Sequence, residues 1–337
     1  MMILGIETSC DECSVAVVDD GRNIISNIVA SQIELHRPYK GVVPELASRK
    51  HTEWIIPVYR EALAAAGVTL REVDGIAATN RPGLAGALLV GHSFAKSLAY
   101  ASGKPFVGVD HIRAHLYAAH LERDIDYPYI GLLVSGGHTI LCRVSSFDDV
   151  EVLGTTIDDA CGEAFDKVAK HYGMGYPGGL AVDTLAARGN PEAFHFPNPS
   201  LHKGDHRYDV SYSGLKTAVI NQLEQFRGTA GTGSLEDIAA SFQKAAIDLL
   251  LSRLFRVVED TGLKRIVAGG GVAANSLLRS TLADYKDVEV IFPSLKLCTD
   301  NGAMIAGIGY HYLTRGIQSP FSETVSARVQ GFRKTYP

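Results

Sequence analysis

Seven residues, Leu133-Val134-Ser135-Gly136-Gly137-His138-Thr139, constrain this chain more than any other stretch. The apolar run Tyr129 to Val134 reads as a buried strand, and Thr139 to Val144 as a second strand beyond a tight Ser-Gly-Gly turn. Glycines at such a turn let backbone N–H groups point outward together, a concave row of donors suited to a phosphate or carboxylate. Taken alone, the turn also fits an ordinary hairpin. The chain repeats the device near its start. Ile3-Leu4-Gly5-Ile6-Glu7 turns through Thr8-Ser9-Cys10-Asp11-Glu12 and resumes as Ser14-Val15-Ala16-Val17-Val18, with an acidic residue on the first strand. Two such units predict an internal duplication and two similar lobes.

The chain has 337 residues, of which 46% are apolar, enough for one large domain or two lobes with their own cores. The 34 glycines are scattered without period, which excludes a collagen-like chain. A net charge of -5 means that a nucleic-acid partner needs a local basic patch. The N-terminal residues have no basic region and no long apolar run, so neither a signal peptide nor a membrane span is expected. Five cysteines, an odd number, point to a reducing compartment and a cytoplasmic protein. Cys10 and Cys13 form one C-x-x-C pair. It joins two strands instead of opening a helix, which favours chance over a redox or zinc pair.

Pro44 to Gly67 predicts a helix, with Pro at its start, Gly past its end, and a stripe of Leu46, Trp54, Ile55, Val58 and Leu63. Val73 to Thr79 and Phe106 to Asp110 read as strands. Between them Leu84 to Ala101 reads as a helix whose Gly86, Ala87, Gly91 and Ala95 allow close packing, inside the fold or against a partner. In a helix after Asp110, His111 and His115 share one face at i and i+4, where two imidazoles can bind one metal or simply face solvent. A zinc protease places Glu directly after the first of such histidines. Here Ile112 stands there. A third ligand must come from a distant segment.

Cys161 to Lys167 predicts a helix on which Glu163, Asp166 and Lys167 form a solvated face, or Asp166 meets ligand hydroxyls. Tyr176-Pro177-Gly178-Gly179 opens a further helix containing Asp183. Residues 191–214 are irregular and read as a binding loop, where Lys203, His206, Arg207 and Lys216 with Tyr208 and Tyr212 offer a local nucleic-acid surface or an ordinary exposed loop. Leu215 to Phe226 and Leu235 to Thr261 predict helices. The strand Arg265 to Ala268 enters Gly269-Gly270-Gly271 and a helix containing Asn275, which is not a G-x-G-x-x-G fingerprint. After a last strand, Val288 to Phe292, Cys298-Thr299-Asp300-Asn301-Gly302 opens the helix Ala303 to Thr314. Asp300 there is either a helix cap or the distant carboxylate of a His-His-Asp metal set.

Taken together, Gly5-Ile6-Glu7-Thr8-Ser9-Cys10-Asp11-Glu12, Gly41-Val42-Val43-Pro44-Glu45, His111-x-x-x-His115, Leu133 to Thr139, Gly162-Glu163-Ala164-Phe165-Asp166-Lys167, Tyr176 to Gly179, Ser213-Gly214-Leu215-Lys216-Thr217, Gly270 to Asn275 and Cys298 to Asn301 closely resemble one family, in the same order over nearly the whole chain. It is the bacterial tRNA N6-adenosine threonylcarbamoyltransferase family, formerly taken for O-sialoglycoprotein endopeptidases. The resemblance implies an α/β fold of two similar RNase H-like lobes of the actin, sugar-kinase and heat-shock-ATPase superfamily, with a nucleotide and metal site in the cleft. Residues 1–105 plus 305–337 are expected to form the first lobe, and 106–304 the second, carrying most of the metal and adenylate site.

The resemblance also implies an acyltransferase. It moves the threonylcarbamoyl group from threonylcarbamoyl-AMP to the N6 amine of the adenosine beside the anticodon, in tRNAs reading codons that start with A, and releases AMP. His111, His115 and Asp300 would hold one divalent ion per subunit, iron(II), with zinc as the alternative. Leu133, Val134, Ser135, Gly136, Gly137, Asp166, Gly179, Asp183 and Asn275 would bind the adenylate. Asp11 and Glu12 fall where such enzymes carry acidic residues near the reaction, and either is a candidate proton acceptor. Implied partners are tRNA, a smaller paralogous subunit and a separate ATPase. The helices 44–67 and 84–101 are candidates for a paired-helix interface. Departures from the family pattern are Cys13 for Thr, Arg81 before Pro82, and Leu180 where Pro is common. A kinase or ATPase of the same superfamily fits the glycine loops but leaves the His-His-Asp trio idle. A metalloprotease and a non-catalytic RNA scaffold fit less well.

Overall fold

The computed structural model describes residues 1–196, 206–228 and 233–328, so Lys203 and residues 329–337 lie outside the described part. The chain divides into two compact units. Unit 1 is Met1–Asp126 together with the chain from Pro293, and unit 2 is Tyr127–Phe292.

Unit 1 begins with β1 (Met2–Glu7), β2 (Glu12–Asp19), β3 (Asn23–Ser31), α1 (Ile33–His36), α2 (Pro44–Ala66), β4 (Gly75–Arg81), α3 (Ala85–Ser102), β5 (Phe106–Asp110) and α4 (His111–Tyr117). Unit 2 holds β6 (Tyr129–Val134), β7 (Thr139–Val144), β8 (Val150–Thr155), α5 (Cys161–Tyr172), α6 (Gly178–Ala186), α7 (Ser213–Gly228), α8 (Leu235–Thr261), β9 (Arg265–Gly269), α9 (Ser276–Ala283) and β10 (Glu289–Ile291). The chain then returns to unit 1 with α10 (Leu295–Cys298) and α11 (Gly302–Thr314).

The duplication read from the turns is present in the sheets. Unit 1 has strand order β3-β2-β1-β4-β5, and unit 2 has the same order, β8-β7-β6-β9-β10. In each, three antiparallel strands are continued by two parallel ones. The sequence reading had two antiparallel strands per lobe and missed β3 and β8. Both are outer strands that mix exposed and buried residues, so neither shows the long apolar run of a central strand.

The central strand β1 is buried on both faces. Leu4 and Ile6 join the core cluster with Ile55, Val58 and Ala95 of α2 and α3. On the other face Gly5 lets the backbone of α11 lie directly on the sheet. A Cβ there would stand 2.2 Å from Gly302 O and 2.5 Å from Ala306 N. The buried stripe of α2 is Ala47, His51, Ile55, Val58 and Ala62, while Leu46, Trp54 and Leu63 sit at its edges. The small residues of α3 are used internally: Gly86 backs onto Ser48 of α2 and Gly91 onto Thr8. In unit 2, Phe165 of α5 meets Phe242 of α8 at the centre of a separate core with Tyr212 and Val182.

The division between units falls after Asp126 and before Pro293, not at 105 and 304. β5 pairs with β4 and α4 follows it directly, so both belong to unit 1. All three proposed metal ligands therefore lie in unit 1, against the expectation that the second lobe carries most of that site. Among the described residues, no helix is long and apolar enough to cross a membrane.

Candidate metal centre and ligand loops

Asp110 closes β5 and caps α4, accepting from Ile112 N at 3.0 Å and Arg113 N at 3.3 Å. The helix therefore starts at once, and His111 and His115, one turn apart, fall on its buried face with ring centroids 4.5 Å apart. His115 Nε2 lies 3.0 Å and His111 Nε2 3.6 Å from Asp300 Oδ1. The three ligand atoms lie within 4.8 Å of one another. Donors bound at ~2.1 Å to one cation stand ~3.0–3.4 Å apart, so this spacing suits a single ion. Asp300 does not cap α11. Asn301 does, accepting from Met304 N at 3.1 Å, which leaves the neighbouring carboxylate directed to the histidines. His120 is not part of the set; it stacks on Tyr117.

Glu7 completes the centre from behind. Its carboxylate is fully buried, accepts from Thr79 Oγ1 at 2.7 Å and lies 2.9 Å from His111 Nδ1. That contact places a proton on Nδ1 and aims Nε2 at Asp300, the usual way a carboxylate orients a metal-binding imidazole. Burial alone would raise the pKa of Glu7, but the charge of His111 outweighs it and holds the group low. Burial likewise disfavours the imidazolium of His111, yet Glu7 and Asp300 overcome it and raise its pKa to about 9. The pocket thus demands positive charge, and a divalent cation meets that demand better than one proton. His115 Nδ1 is buried without a partner among the described residues.

Sequence reading noted Glu7 only as an acidic strand residue. A charge at the end of an otherwise apolar strand was the available signal.

The turn Thr8–Asp11 lies beside this centre, with Ser9 Oγ 3.2 Å from His111 Nδ1. Asp11 is buried, and Glu12 Oε1 accepts from Ser31 Oγ at 3.0 Å. Burial, with Asp11 and Asp300 nearby, pushes Glu12 well above the usual carboxylate range. Cys13 belongs to the apolar core, where burial raises its thiol to about 12, and burial also raises Cys10 well above its ordinary value. Neither is a ready thiolate, which supports the chance reading of the C-x-x-C pair.

In unit 2 the ligand loops gather at the carboxyl ends of β6 and β9. Leu133 and Val134 are buried strand residues. The turn after them is less open than its sequence suggests. Ser135 N donates to His138 O, and Ser135 Oγ accepts from Gly137 N and His138 N. Gly136 N makes no hydrogen bond among the described residues, and Gly136 and Gly137 have open space where side chains would stand. Gly162, at the start of α5, donates to Ser135 O at 3.1 Å. Gly270, at φ +87°, presses against Val134 O, which a Cβ would meet at 2.3 Å.

Asp166 of α5 accepts from Gly178 N at 2.8 Å and so ties the Pro-Gly-Gly loop to that helix, leaving Gly179 open. Asp183 accepts from Ser276 N at 3.1 Å and Ser276 Oγ at 2.6 Å. Asn275 caps α9 through Leu278 N and donates to Asp183 and to Gln243 Oε1. The structure therefore brings Asp183 and Asn275 together. Buried Gln243, missed in the sequence, braces them. The signal was a glutamine between Phe242 and Ala246 on the buried stripe of α8.

The segment read as either a local nucleic-acid surface or an ordinary exposed loop is partly engaged within unit 2. Tyr212 is core, Arg207 and Tyr208 bind Asp260, and Lys216 pairs with Asp159 at 2.6 Å.

Residues 23–307 match the family model of tRNA N6-adenosine threonylcarbamoyltransferase. A protein of that name from Treponema denticola is 65% identical, covering 99% of both chains. One from Treponema pallidum is 56% identical over 99% of this chain and 95% of its own. One from Borrelia garinii is 49% identical over 100% and 99%. Among solved structures, HypF of T. kodakarensis is similar with a TM-score of 0.64 at 16% identity, covering 94% of this chain and 48% of its own. Component A of the Acidaminococcus fermentans (R)-2-hydroxyglutaryl-CoA dehydratase gives 0.56 at 16%, covering 93% and 99%. Such distant structures speak to fold alone, here an α/β chain of two units with the same strand order. With nearly the full length of these relatives matched and the His-His-Asp set in place, the chain belongs to the tRNA N6-adenosine threonylcarbamoyltransferase family.

Proposed function

We propose that this chain transfers the threonylcarbamoyl group from threonylcarbamoyl-AMP to the N6 amine of the adenosine beside the anticodon, in tRNAs reading codons that start with A. The observation that carries this reading is the meeting of two imidazoles and one carboxylate beside an acidic turn. A kinase has no use for such a set. The donor is a mixed anhydride. A bond forms from N6 to the carbamoyl carbon, the carbon–oxygen bond to phosphate breaks, and AMP leaves with the electron pair. The amine must also lose a proton. An aromatic amine is a weak nucleophile, so positioning and stabilisation of developing charge dominate.

The roles divide by unit. In unit 2, Leu133 to Gly137, Asp166, Gly179, Asp183 and Asn275 hold the adenylate, with the free Gly136 amide as an oxyanion donor. In unit 1, His111, His115 and Asp300 hold iron(II), with zinc as the alternative; two imidazoles and one carboxylate leave coordination positions open. An ion held there would supply a Lewis acid for the carbamoyl carbonyl and positive charge for the phosphate. Of the two acidic residues, burial and its acidic neighbours raise the pKa of Glu12, and Asp11 is the proposed proton acceptor.

Single-turnover transfer of labelled threonylcarbamoyl to tRNA tests this. Asp11→Asn should slow it ~100-fold and Glu12→Gln ~10-fold, with adenylate affinity changed less than about twofold. A parallel loss of adenylate affinity would remove the proton-transfer role.

A smaller paralogous subunit and a separate ATPase complete the proposed assembly. The buried small-residue face of α3 is unavailable to them. The outward faces of the packed pair α2 and α3 carry exposed Ile56 and Leu89 and form the proposed interface. Leu89→Asp should weaken binding of the smaller subunit by at least about tenfold, seen by co-elution, with the isolated chain's melting unchanged.

A further inference from the structure

The turn that carries Asp11 and Glu12 is fastened through its carbonyls. Ser9 O accepts from Leu84 N at 2.8 Å, and Asp11 O from Gln32 N at 3.1 Å. Cys10 O, between them, accepts from His51 Nε2 at 2.9 Å. The outer two donors are main-chain amides, which no side-chain substitution removes. His51 is the side chain of the set.

His51 sits in the buried stripe of α2, with no exposed surface. A carbonyl only accepts, so the ring proton is on Nε2. Nδ1 is then a bare acceptor, buried and without a partner among the described residues. Gln32 Nε2, 3.5 Å from the same ring nitrogen, is itself a donor and does not compete. Burial lowers the pKa of His51, so the ring stays neutral. An apolar side chain would fill this space without stranding a buried nitrogen. What imidazole adds is one donor at one distance, aimed at the backbone of the acidic turn.

We propose that His51 is a positioning residue for transfer, its Nε2–H fixing the Cys10 carbonyl and thereby the direction of Asp11 and Glu12. The inference rests on the proton-acceptor reading of that turn. It predicts a requirement for the donor's position, not for histidine as such. From Cβ, the terminal amide nitrogen of glutamine reaches as far as Nε2, and that of asparagine only as far as Nδ1.

The test compares His51→Gln, His51→Asn and His51→Leu in single-turnover transfer to tRNA with the partner proteins present. AMP affinity, metal content and thermal melting are measured on the same samples. His51→Asn and His51→Leu should slow transfer ~30–100-fold, the scale of a misplaced reacting group, while His51→Gln stays within about fivefold of wild type. AMP affinity should change by less than about twofold and metal content not at all. Gln and Asn burden the buried site equally, so a defect shared by both, or one that appears in AMP affinity, overturns the inference. So do wild-type rates in all three. Should His51→Leu fail to fold, the Gln and Asn pair decides. Asp11→Asn is assayed alongside. A wild-type rate there removes the proton-acceptor reading and the role of His51 with it. A slow Asp11→Asn beside unaffected His51 variants removes the His51 inference alone.

Discussion

A His111→Ala, His115→Ala double variant is expected to lose its bound metal and its transfer activity together. Both Nε2 atoms converge on Asp300 Oδ1, so removing them leaves one carboxylate, which cannot hold a divalent ion at cellular concentrations. Transfer should fall at least ~1000-fold, because both carbonyl polarisation and phosphate neutralisation go with the ion. The change also leaves Glu7 buried opposite a missing partner, a defect worth about 3–5 kcal/mol. Melting must therefore be measured with activity. Asp300→Asn is the companion variant: it keeps the side-chain shape and spares the Glu7–His111 contact, so it isolates metal loss from unfolding. Elemental analysis should read near one equivalent for wild type and near none for both variants. Full transfer in the metal-free variants would end the metal reading.

The second large effect is expected from a single methyl group. Gly5→Ala puts a Cβ 2.2 Å from Gly302 O, 2.5 Å from Ala306 N and 2.8 Å from Ala306 Cβ. Two of these are backbone atoms of α11 and cannot rotate away. The helix must lift from β1, at a cost of about 3 kcal/mol or more, lowering the melting temperature on the order of 10 °C. Asp300 is joined to α11 through its cap Asn301, and Gly302 N donates to Ser14 Oγ at 2.8 Å, so the displaced helix carries the carboxylate away from the histidines. Metal content should fall with stability. Gly136→Ala is the control: the same substitution into open space should change stability by less than about 0.5 kcal/mol. Equal melting of the two variants would refute the packing argument.

Local patterns in the sequence were read well where one segment decides its own structure. The strand pairs about both turns, the bounds Leu235 to Thr261 and the shared face of His111 and His115 are of this kind. Features decided by distant segments were not legible from pattern. Nothing near Asp300 announces His115, 185 residues earlier; pattern left Asp300 as either a helix cap or a distant carboxylate, family resemblance favoured the metal set, and the adjacent Asn301 takes the capping role. The stripe of α2 was read about one position off because its inner face carries Ala47 and His51 in place of large apolar residues. The glycine turn promised three outward amides, but the serine hydroxyl in the turn consumes part of that supply. Lobe boundaries failed because β5 looks like the start of something new until its pairing with β4 is known.

The return of the chain to unit 1 also sets a timetable for synthesis. His115 leaves the ribosome 185 residues before Asp300, and His111 earlier still. At ~5–20 residues per second, the two imidazoles wait about 10–40 s for their carboxylate. Throughout that interval the face of β1 that receives α11 is also bare, since Gly302 and Ala306 have yet to be made. Among the described residues unit 2 is one continuous segment and can close while unit 1 waits. The nascent chain thus completes the set His111, His115 and Asp300 only near the end of its synthesis.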